Sequence, residues 1–273
     1  MIDISKGRYW DLPWSLVESC TRCSPGCQHC WALAIEKRFK KGREGQVITH
    51  PERLSIPMKR KKPTVYAVWN DLFHEDVPWN FIYDAYEEMD ARPRHIYLIL
   101  TKRPGRMAVF IEHYKARRWP DAGIPVCDQL FNQHFSSHLW HGLTVCNQEE
   151  ADAKIPVFLQ VPGKKFLSIE PMLGPVSLRW IAAWNGMATK PREWGQTTDQ
   201  LDGLRMIDAV ILGGETGPGA RPMHPDWIRA VRDQCAAAGV QFFFKGRRAR
   251  RRRLDGRTHN DLPWIVPRAP EAL

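Results

Sequence analysis

Four of the seven cysteines fall within eleven residues, at Cys20, Cys23, Cys27 and Cys30. Thiolates are soft ligands that suit zinc or iron–sulfur clusters. A disulfide framework would spread its cysteines along the chain, and an odd total argues against complete pairing. Structural zinc sites commonly set two Cys-x-x-Cys knuckles about 12–20 residues apart. Here only Ser24-Pro25-Gly26 separates the two pairs. So short a linker suits a loop wrapped round a compact cluster, with Pro25 and Gly26 allowing the tight turn. A tight four-cysteine zinc loop is the alternative. A thiol-redox pair is disfavoured, because neither Cys-x-x-Cys opens a thioredoxin-like βαβ unit.

These cysteines need a scaffold, and the apolar runs predict one. Strands are expected at Trp14–Glu18, Thr64–Trp69, His95–Leu100, Leu139–Val145, Lys165–Ile169, Ile207–Leu212 and Val240–Phe244. Helical spacing or capping residues place helices near Gln28–Lys41, Trp79–Ala91, Gly105–Lys115, Gln148–Leu159 and Pro225–Ala238. Pro156 is expected to break or end the fourth of these. Leu178–Trp184 reads as a short helix, Trp119–His138 as an insertion or loop, and Asn185–Leu204 as a surface excursion. Strands alternating with helices, apolar on both faces, predict a parallel sheet. No Gly-x-Gly-x-x-Gly follows the first strand, which disfavours a dinucleotide fold. The expected class is α/β, a partial parallel (β/α) barrel of six to seven strands. It would span residues 1–245 with the cysteine loop near its start, and 246–273 would be a basic tail.

In such barrels chemistry collects at the carboxyl ends of the strands. Those positions carry Asn70 and Asp71, Thr101, Lys102 and Arg103, Thr144 and Asn147, Ser168 and Glu170, Gly213, Gly214 and Glu215, and Lys245. Lys102, Glu170 and Glu215 abut apolar strands, where a half-buried charge needs a partner.

The charge is local. The chain carries a net charge of +10 over 273 residues. Lys245, Arg247, Arg248, Arg250, Arg251, Arg252 and Arg253 form one basic run, and Lys59, Arg60, Lys61 and Lys62 a second. Without those two runs the chain is near neutral, so one or two defined patches are expected rather than a basic coat. The arginines Arg247, Arg248 and Arg250 to Arg253 are candidate nucleic-acid contacts, with Trp10, Trp14, Trp69 and Trp79 as stacking faces. No apolar run approaches the roughly 20 residues that cross a bilayer. The first residues also lack an apolar signal core. A cytoplasmic protein without a membrane partner is expected.

The spacing Cys23-x-x-x-Cys27-x-x-Cys30 matches that of radical S-adenosylmethionine (radical SAM) enzymes. More closely, the chain resembles a bacteriophage-associated family of three-Cys proteins regarded as radical-SAM-like. The resemblance rests on Cys20 with Ser24-Pro25-Gly26-Cys27-Gln28-His29-Cys30-Trp31, on Leu100 to Pro104 and on Gly142 to Gln148. It extends to Leu167 to Pro175, Gly213 to Met223 and Phe242 to Lys245. It covers about residues 13–245 and implies a partial barrel of the radical SAM type. The family pattern takes Cys20, Cys27 and Cys30 as ligands, and the wider pattern takes Cys23, Cys27 and Cys30.

The resemblance implies a [4Fe–4S] cluster on three cysteines, S-adenosyl-L-methionine on the open iron, and a 5′-deoxyadenosyl radical that abstracts hydrogen from a substrate. Asn70, Asp71, Thr101, Asn147, Gly213, Gly214 and Glu215 are then candidates for holding the cofactor. Lys102, Glu170 and Glu215 are candidates for catalysis. The expected partners are a nucleic acid or nucleotide, DNA among them, for modification or repair, and an electron donor such as flavodoxin or ferredoxin. The competing reading is a zinc-containing nucleic-acid-binding protein without catalysis.

Overall fold

The computed structural model describes residues 2–39, 45–135, 137–179, 181–183, 199–246 and 252–265. Seven strands form one sheet: β1 (Leu12–Trp14), β2 (Val65–Val68), β3 (Ile96–Thr101), β4 (Leu139–Thr144), β5 (Lys164–Ile169), β6 (Ala209–Gly213) and β7 (Gln241–Gly246). Every neighbouring pair is parallel. The strands lie in chain order with β1 and β7 as the two edges, and the sheet curls into a half-barrel. The helices are α1 (Trp31–Phe39), α2 (Ile56–Lys59), α3 (Trp79–Asp90), α4 (Pro104–Arg118), α5 (Ile124–Phe135), α6 (Gln148–Phe158) and α7 (Pro225–Ala238). No helix among the described residues is long and apolar enough to cross a membrane.

Two apolar layers follow from the two-residue period of the strands. On the helix side, Tyr66, Tyr97, Leu143, Leu167 and Phe244 pack under residues such as Tyr86, Phe110 and Ile155. On the concave side, Leu98, Trp140, Phe166, Ile211 and Phe243 form a second cluster with Tyr9, Leu262 and Trp264. Gly142 is glycine for a reason visible here. A Cβ at that position would lie 2.3 Å from Cζ of Phe166, whose ring covers the strand. Tyr9, Leu262 and Trp264 therefore fill the lower half-barrel, and Trp264 Nε1 donates to the Tyr9 carbonyl at 2.8 Å.

The alternation of strands and helices matches the expectation, with differences that have physical causes. The first expected strand is split. β1 occupies Leu12–Trp14, and Val17–Glu18 pairs antiparallel with Ile48–Thr49 in a separate ribbon. Residues 124–135 form α5 instead of a loop, burying Cys127, Phe131 and Phe135 at four-residue spacing. Pro156 sits inside α6, in its last turn, where the helix ends two residues later. Ile181–Ala183 is a strand paired antiparallel with Asp199–Leu201 rather than a helix; most of 185–204 lies outside the described residues. α7 ends as expected at Gly239, which takes the left-handed conformation with φ 69°.

Residues 252–265 are also more ordered than a tail. Arg253–Leu254 and Arg257–Thr258 form a hairpin. Asp255 at its turn is gripped by Arg229 and Arg232 of α7, at 2.7 Å each. Leu254, Leu262 and Trp264 are buried.

Candidate functional site: a cysteine loop clamped over the carboxyl rim

The cysteine loop is built by short-range hydrogen bonds. Ser24 Oγ accepts the Gly26 amide at 3.1 Å, capping a 3-10 turn over Pro25–Cys27. The Cys27 amide donates to the Ser24 carbonyl at 2.9 Å, and the Ala34 amide to the Cys30 carbonyl at 3.0 Å. Cys30 thus leads directly into α1. All seven cysteines are free thiols. Cys27 is buried, Cys20 and Cys30 are half-buried, and Cys23 is exposed. A hydrogen bond from the Cys23 thiol, aided by the Lys102 charge and opposed by burial, holds the Cys27 thiol well below its usual range. Among the described residues, no three His, Cys, Asp or Glu side chains stand close enough to hold one metal ion.

The loop rests on the end of β4. A Cβ on Gly26 would lie 2.3 Å from Cys146 Sγ and 3.1 Å from Cδ of Pro171. Glycine is what allows the backbone to approach so closely. Ser24 Oγ stands 3.7 Å from the same sulfur. Burial and Glu150 raise the Cys146 thiol to about 11.

One polar cluster fixes the start of the loop. Asp71, buried at the end of β2, accepts from Thr101 Oγ1 at 2.6 Å, the Phe73 amide at 3.0 Å and the Lys102 amide at 3.1 Å. It also accepts from Arg103 Nη1 at 2.9 Å. Arg103 Nε donates to Glu75 at 2.8 Å, and its Nη2 to Thr21 Oγ1 at 2.9 Å. Its Nη1 also lies 3.7 Å from Cys20 Sγ. Asn70, held at φ 60°, donates its side-chain amide to the Val17 carbonyl at 2.7 Å. Asp71, Thr101 and Asn70 therefore brace the rim.

A second cluster fixes the far side of the loop. Glu215 is buried past the end of β6. It accepts from Arg221 Nη2 at 2.5 Å, from Arg221 Nε at 3.0 Å and from its amide at 2.9 Å. His29 Nδ1 donates to Glu215 Oε2 at 3.0 Å. The Arg221 guanidinium also donates to the Pro25 carbonyl and to Gln28 Oε1, both at 3.1 Å. These bonds hold the Glu215 carboxyl down at about 2, against the effect of burial. Glu215 thus ties Cys27-Gln28-His29-Cys30 to the opposite half of the sheet.

Between the clamps lies the upper concave face. Residues two apart along a strand share a face. Lys102 continues the face of Leu98 and Leu100, Thr144 that of Trp140 and Gly142, and Ser168 and Glu170 that of Phe166. Thr144 and Ser168 are register partners on β4 and β5. Each is 1% exposed, and neither hydroxyl has a hydrogen-bond partner. Glu170 Oε1 accepts from Lys245 Nζ at 2.5 Å. Lys245 Nζ also stands 5.7 Å over the Tyr9 ring. Gly213 lets the Glu170 side chain pass, since a Cβ there would meet Oε1 at 3.2 Å. Burial disfavours the Lys102 charge, but Cys146, Cys27, Asp71 and Cys30 outweigh it and raise its pKa.

The expected residues thus separate by position. The four cysteines, Lys102, Glu170, Gly213, Gly214 and Glu215 gather at the rim. Gly214 donates its amide to the Gly246 carbonyl at 2.9 Å. Asn147 caps α6, accepting the Glu150 amide at 2.9 Å. Arg252 turns inward. It donates to the Ile4 carbonyl and to Asn260 Oδ1, and lies over the Phe243 ring. This buried arginine supports the fold instead of facing a polyanion. Arg253 is exposed on the hairpin, and Arg247, Arg248, Arg250 and Arg251 lie outside the described residues. Lys59 to Lys62 precede β2, at the end of the sheet opposite the cysteine loop. Arg221, His29 and Cys146 were not candidates from the sequence. Arg221 and His29 reach Glu215 across gaps of 6 and 186 positions, which no local spacing displays.

The fold and site define a parallel α/β half-barrel with a four-cysteine loop clamped over its carboxyl rim. The chain belongs to the family described as protein of unknown function DUF5131, whose model matches residues 5–263. No curated protein and no solved structure matches the chain.

Proposed function

We propose that the chain is a radical SAM-like enzyme acting on a nucleic acid or nucleotide. The observation that carries this reading is the placement of the cysteine loop. It stands at the carboxyl ends of the strands and beside Lys102, where barrel enzymes do their chemistry. The donor set fits an iron–sulfur cluster. A single ion draws its sulfur ligands to about 2.3 Å, whereas each cysteine of a four-iron cluster binds its own iron. That suits thiols of which no three stand close enough to share one ion. Cys27 and Cys30, with Cys20 or Cys23, would hold the irons.

The cluster with bound S-adenosylmethionine would supply one-electron cleavage of the sulfonium and hydrogen-atom abstraction. The protein's own groups bind and orient. The unpartnered Thr144 and Ser168 hydroxyls offer hydrogen bonds to a polar ligand inside the half-barrel. Lys102 offers a positive charge beside the thiolates. The Glu170–Lys245 pair offers a carboxylate and an ammonium at the inner wall. Electrons would come from a reduced flavodoxin or ferredoxin.

The test is anaerobic reconstitution with iron and sulfide, followed by reduction in the presence of S-adenosylmethionine. About four irons per chain and release of 5′-deoxyadenosine are expected, both lost in Cys27→Ser and Cys30→Ser. A colourless protein, or one holding zinc and no iron, overturns the proposal.

A further inference from the structure

One feature of the rim is not used by the cysteines or the clamps. Trp69 follows β2 on the concave face, and Trp10 lies edge-on to it, with ring centroids 5.7 Å apart at 89°. Trp31, the residue after Cys30, packs against Trp69 at 4.8 Å and 71°. The Arg8 guanidinium stands 5.5 Å from the centroid of the Trp10 ring. A row therefore runs Arg8, Trp10, Trp69, Trp31, from an exposed cation to the edge of the cysteine loop.

Edge-to-face packing holds the three indoles in place, with Trp10 and Trp69 half-buried and Trp31 exposed. Trp31 keeps 49% of its surface exposed, the most of any tryptophan among the described residues. A tryptophan needed only to pin α1 would bury its ring. A fixed, exposed indole at one end of an aromatic row and an arginine at the other match the way proteins hold unpaired bases. The rings stack on the bases and the cation takes the phosphates. The exposed Arg8 cation at one end of the row favours an anionic occupant over an apolar one.

We propose that the Trp10–Trp69–Trp31 row seats the unpaired bases of a single-stranded nucleic acid, with Arg8 on its backbone. The inference rests on the reading of nucleic acid as substrate and narrows it to an unpaired strand delivered to the cysteine loop.

Fluorescence anisotropy tests it with three probes of about ten nucleotides: a single strand, the matching duplex, and the same strand with abasic positions. The whole chain is used, and binding is read without turnover. Trp31→Ala should weaken the single strand about tenfold and leave the duplex and abasic strand unchanged. Trp31→Phe should restore most of the loss, and Arg8→Ala should lower the salt dependence by about one ion. Unchanged single-strand affinity in Trp31→Ala overturns the proposal, as does an equal loss on the abasic strand. So does intact oligonucleotide binding with lost binding of reduced flavodoxin, which would assign the row to a protein. Cluster assembly is measured separately, so failure here leaves the radical SAM reading standing, and failed reconstitution leaves the binding result standing.

Discussion

Arg221 grips Glu215 with two guanidinium nitrogens, at 2.5 and 3.0 Å, and from the same guanidinium reaches the Pro25 carbonyl inside the cysteine loop. One ion pair therefore sets the distance between the loop and the end of β6.

Removing that pair should free the loop without unfolding the half-barrel. Glu215→Gln leaves a neutral acceptor and should cost about 1–3 kcal/mol in urea unfolding. It should also lower the iron retained after reconstitution, with circular dichroism unchanged. Full iron retention would show that the clamp does not position the loop.

The same carboxylate predicts an acid dependence. Its pKa falls from the model-peptide value of 4.5 to about 2 in the folded chain. Its contribution is therefore complete above pH 4.5 and lost as pH falls through about 2. The stability difference between the natural chain and Glu215→Gln should shrink over that window. A difference that stays constant would remove the ion pair as its source.

Asp71 should be the costlier carboxylate. Asp71→Ala leaves Arg103, the Thr101 hydroxyl and two amides without their acceptor in a buried position. A loss of about 3 kcal/mol or more is expected in denaturant unfolding. A loss below about 1 kcal/mol would mean that solvent enters the cluster.

Gly26 and Cys146 form a testable pair. Gly26→Ala drives a Cβ into Cys146 Sγ and should destabilise by about 1–3 kcal/mol. Cys146→Ala removes that sulfur, so the double variant should recover most of the loss. Strict additivity of the two changes in thermal unfolding would refute the contact.

Lys165 predicts a second rise of stability with pH, in the alkaline range. It is buried in β5 and donates to the carbonyls of Val161 and Gly163, at 2.7 and 2.9 Å. Burial lowers its pKa from 10.5 to about 8, against the pull of Asp208. Between those values the unfolded chain binds a proton that the folded chain does not, so stability should rise with pH. Lys165→Met should lose that rise in unfolding measured across the window.

The sequence displayed the half-barrel where the physics is local. β2 to β7 are mostly apolar and mostly buried, and their order in the sheet is their order in the chain. α5 escaped although its buried Cys127, Phe131 and Phe135 recur every four residues, because Pro120, Gly123 and Pro125 at its start read as loop signals. β1 is three residues long and contains Pro13, so no strand pattern can build up. The cysteine loop was legible because its spacing is contiguous. The clamps were not, since Glu215 could be seen as a half-buried charge but its partners could not. Arg252 shows the converse error, because an arginine inside a basic run looks exposed until Ile4 and Asn260 are brought to it.

Trp264 and Tyr9 are joined by a hydrogen bond across 255 positions. At a synthesis rate of about 5–20 residues per second, all seven strands leave the ribosome before the segment that covers their concave surface. Phe166 and Phe243 stay open to water or to chaperones until Leu262 and Trp264 arrive. Closure of the concave face in this sense waits on the synthesis of residues 262–264. A chain stopped before Leu262 would keep its sheet yet lack its seal, and would behave as an aggregation-prone species.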